Sequence, residues 1–70
     1  MDTLDLAASA HEISEKAPDG SLDRAAAGSV AVTCATARDF EQARAALEKV
    51  QPDEVRAAAL ELFDRLSPAI

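Results

Sequence analysis

His11 and Glu15 stand four residues apart, the spacing at which two side chains on a helix meet, so an imidazole and a carboxylate could share a proton or hold a metal ion between them. A metal ion needs more ligands than these two, and the pair reads as an exposed surface contact. Cys34 is the one thiol, and a thiol attacks only as thiolate, which requires a base or a cation beside it. Its neighbours are Thr33 and Ala35, with Arg38 a helical turn away, and the residue reads as a small buried hydrophobe. The acids are spread along the chain rather than paired in an apolar setting, as a catalytic acid and base would be. Gly20 and Gly28 are the only glycines, too few for a phosphate-cradling loop. No cofactor or metal is expected, and the chain is not expected to be an enzyme.

The elements that would position these residues must come from one small domain spanning residues 1–70. The hydrophobic fraction is 49%, but seventeen of those residues are alanine, which leaves a thin core and no disulfide to reinforce it. The formal charge of −6 is spread over both halves without a basic stripe, and there is no Trp or Tyr to stack on bases, so direct nucleic-acid binding is not expected. The start MDTLDLA carries acids where a signal peptide needs bases. The longest uncharged run falls short of the ~20 apolar residues of a membrane span, so no membrane association is expected. A cytoplasmic location is expected, in keeping with a single cysteine.

Punctuation divides the chain into helices. Thr3 is a candidate cap for a first helix with the stripe Leu6, Ala10, Ile13 and Ala17 and an i,i+4 pair from Glu12 to Lys16. Pro18-Asp19-Gly20 ends it, and Ser21 caps the next segment. The run from Ala25 to Ala37 is thirteen residues without a charge, mostly small, and reads as core or contact surface. Val30, Val32 and Cys34 alternate as a strand would, but a single strand would expose an edge, so a closely packed helix is expected. Thr36 and Asp39 resemble a capping box for a helix with the stripe Phe40, Ala43, Ala46, Leu47 and Val50. Pro52 then suits the first position of a last helix, closed by Ser67-Pro68, that folds back as an antiparallel hairpin. The expected fold is all-α, a bundle of three to four short helices with a C-terminal antiparallel helix hairpin.

The last helix is over-wide. Val55, Ala58, Ala59, Leu62 and Leu66 make a stripe of about 100°, and Leu60 and Phe63 widen the apolar arc to roughly 200°. Leu60 and Phe63 are therefore the candidate partner-binding residues, unless the first helices cover both. The function expected is that of a non-catalytic protein-binding module, an adaptor, small chaperone, inhibitor or antitoxin-like regulator, whose partner is another protein or itself as a homodimer or heteromer. The alternative is an acidic mimic of nucleic acid that blocks a nucleic-acid-binding partner. A minor alternative comes from Asp19-Gly20-Ser21-Leu22, which resembles the Asp-Ser-Leu attachment site of acyl and peptidyl carrier proteins and implies modification at Ser21. The match departs from the family in that Gly20 separates the aspartate from the serine and only one helix precedes it.

Overall fold

A computed structural model of the chain describes residues 3–67, so Met1, Asp2 and Pro68, which enter the sequence reading, lie outside the described residues. Four helices follow one another: α1 (Thr3–Lys16), α2 (Leu22–Thr36), α3 (Phe40–Leu47) and α4 (Asp53–Leu66). Among the described residues there is no strand, and the helices form a compact bundle. The segment around Val30 and Cys34 is thus helical.

The turn between α1 and α2 uses each of its residues. Gly20 takes a left-handed φ of 78°, which a side chain would make unfavourable, and the Ser21 amide donates to the Pro18 carbonyl at 3.1 Å. The Ser21 hydroxyl oxygen then accepts from the Arg24 amide at 3.1 Å, a cap contributing about 1 kcal/mol. Thr3 does not act as the expected cap. It lies inside α1, is buried, and its hydroxyl donates to the Ala37 carbonyl at 3.4 Å, tying the start of α1 to the end of α2.

The capping box also differs from the sequence reading. Thr36 belongs to the last turn of α2, where its hydroxyl donates back to the Val32 carbonyl at 3.2 Å. The cap of α3 is Asp39, whose carboxylate accepts from the Gln42 amide at 2.8 Å, while the Gln42 side chain accepts from the Arg38 amide at 2.8 Å. Asp39 therefore caps α3 three residues further on than Thr36, and the Gln42 side chain reaches back past it to the Arg38 amide rather than closing a reciprocal box. Pro52 is the cap of α4 rather than its first residue, and Asp53 and Glu54 fill the first turn, where the helix dipole favours acids.

One core joins all four helices. Leu6 and Ala10 of α1, Ala26, Val30 and Cys34 of α2, Ala43 and Leu47 of α3, and Ala59 and Phe63 of α4 form a continuous buried cluster. Alanines at 7, 10, 26 and 27 let α1 and α2 pack closely, and this is the most extensive helix contact in the molecule. The thin core is offset by close approach of backbones rather than by large side chains.

Candidate functional site

Phe63 is not on a free face. It is 3% exposed, packs its ring against Phe40 in a T-shaped pair with centroids 6.2 Å apart, and belongs to the core cluster. Leu60 is half-buried and packed on the same cluster. The buried line of α4 is centred on Ala59 and Phe63, with Val55, Leu62 and Leu66 half-buried, so the helix is turned by roughly 60° from the stripe assigned by periodicity. The cause is that α4 touches α1, α2 and α3, which between them take up its wide apolar arc. The structure therefore removes Phe63 from the candidate docking surface.

Apolar exposure is found elsewhere. Val32 is 68% exposed, Leu4 64% and Leu22 44%. Val32 lies in the uncharged run read as core or contact surface, and its exposure follows from helix geometry: Val30 and Cys34, four residues apart, point inward, and Val32 lies between them on the opposite side. The outer side of α2 carries Ser21, Ala25, Gly28, Ser29, Val32 and Thr33 at helical spacing. With Val50, from the segment between α3 and α4, these residues line a shallow groove.

Within this groove the Ser29 hydroxyl donates to the Ala25 carbonyl at 3.0 Å, turning back onto its own helix and presenting less hydrogen-bonding capacity outward. Arg24, at one end, is held by Asp19 at 3.0 Å and donates to the Ala17 carbonyl at 3.3 Å. Gly28 sits in mid-helix with room to spare, since a Cβ built there meets nothing within 4 Å. Glycine in a helix interior costs about 0.5–1 kcal/mol relative to alanine, and packing within this chain does not require it. Gly28→Ala should accordingly raise the unfolding free energy by that amount, read as a higher urea midpoint with an unchanged slope. An unchanged or lowered midpoint would mean that the position is constrained within the monomer.

The residues singled out for chemistry are not brought together. His11 Nε2 lies 2.5 Å from Glu15 Oε1, with the side chains 66% and 65% exposed, and among the described residues no group of three or more His, Cys, Asp or Glu is placed to hold a metal ion. Cys34 is fully buried, and loss of hydration pushes its thiol pKa up, opposite to the shift that activates a nucleophile. The oxygen of Ser21 is engaged in capping α2. Many carboxylates are tied up locally: Glu12 with Lys16 at 3.0 Å, Asp53 with Arg56 at 2.7 Å, Glu61 with Arg65 at 3.1 Å, and Asp64 with Arg44 across α3 and α4. No described helix is long and apolar enough to cross a membrane.

The sequence reading missed the outer side of α2 as a specific surface. Its signal was present in the uncharged run and in the mid-helix glycine. No protein-family model, no curated protein and no solved structure matches the chain.

Proposed function

We propose that this chain is a non-catalytic protein-binding module of the cytoplasm that engages another protein, or a second copy of itself, through the outer side of α2. The observation that carries this reading is Val32, a large apolar side chain 68% exposed on a helical face whose one charged lining residue, Arg24, lies at its end. Gly28 supports it, because a bare backbone in mid-helix allows another chain to approach closely at no benefit to the isolated fold. In this reading α3 and α4 form the antiparallel hairpin that places Val50 beside α2, supported by contact between Phe40 at the start of α3 and Phe63 near the end of α4. The mimic alternative draws less support, since Glu12, Asp53, Glu61 and Asp64 are neutralised by cations of the same chain.

The test is affinity capture from the native host with the parent and Val32→Asp, each read by mass spectrometry, alongside ultracentrifugation of the pure proteins. Val32→Asp should leave folding free energy within about 0.5 kcal/mol of the parent, as exposed substitutions do. It should abolish capture of the partner, or self-association if the partner is a second copy, in which case the parent's melting temperature rises with concentration. Binding through this face should change little with ionic strength, whereas binding through carboxylates should weaken steeply as salt is added. Equal capture by parent and Val32→Asp would overturn the proposal.

A further inference from the structure

We draw no further inference here: the strongest candidate, the cleft between α1, α2 and α4 lined by Ile13, Leu22, Ala26 and Leu62, carries Lys16 and Arg65 together with Asp23 and Glu61, and nothing in the structure shows what covers it.

Discussion

Phe63→Ala is expected to leave the chain largely unfolded at 25 °C. Removing a buried phenylalanine costs about 3–5 kcal/mol through lost burial and the cavity left behind. The edge-to-face contact with Phe40 is among the interactions lost in that change. A domain of this length is stable by roughly 0.05–0.15 kcal/mol per residue, so the loss is comparable with the whole. Far-UV circular dichroism against urea concentration measures it. Phe63→Leu keeps most of the volume and should retain a cooperative transition at a lower midpoint. Leu60→Ala, at a half-buried position, should be milder than Phe63→Ala. A Phe63→Ala protein that melts like the parent would return the residue to the surface and with it the original docking role.

Val30→Asp and Val32→Asp should differ by several kcal/mol although they lie two residues apart. In a helix these positions are separated by about 200° and point to opposite sides, whereas in a strand they would share one face. Val30 is fully buried among the alanines and Cys34 of the core cluster, with no cation of α2 beside it to compensate a carboxylate, so Val30→Asp buries an uncompensated charge and should unfold the domain. Val32→Asp places the same charge in water. Thermal melts of the two variants at pH 7 decide the matter. Equal destabilisation by both would contradict a helical α2 with a free outer side.

The turn between α1 and α2, with its Ser21 cap, was the most legible part of the fold. Pro18, Gly20 and Ser21 each require a particular backbone geometry, and that requirement is local, so the end of α1 and the start of α2 could be placed without knowing any neighbour. Leu6, Ala10, Ala43 and Leu47 were equally legible, because each lies near the middle of a narrow apolar stripe. The orientation of α4 was not. Periodicity fixes the angles between its side chains but not which direction faces inward, and an apolar arc of about 200° leaves that choice to the surrounding helices. In α2 the ambiguity is greater still, since alanine, glycine, serine and valine occur on every side and no polar stripe marks the exterior. Val32 and Val30 are chemically identical, and only contact with α1 and α4 distinguishes them. Thr36 and Asp39 show the same limit on a smaller scale: two cap-forming residues three apart each suited a helix start, and the actual choice depended on where α2 ended.

With no tryptophan or tyrosine, the chain gives almost no near-UV absorbance or intrinsic fluorescence from which its tertiary packing could be followed. Cys34 supplies a clock in place of a chromophore. A thiol reagent reaches the sulfur only when the packed helices separate, and the desolvation that suppresses its thiolate is lifted in the same event. The pace at which an excess of reagent consumes the thiol therefore counts openings of the bundle, in native buffer and without an engineered probe. Comparing that pace with and without a bound partner turns one buried sulfur into a meter of how firmly the partner holds the four helices together.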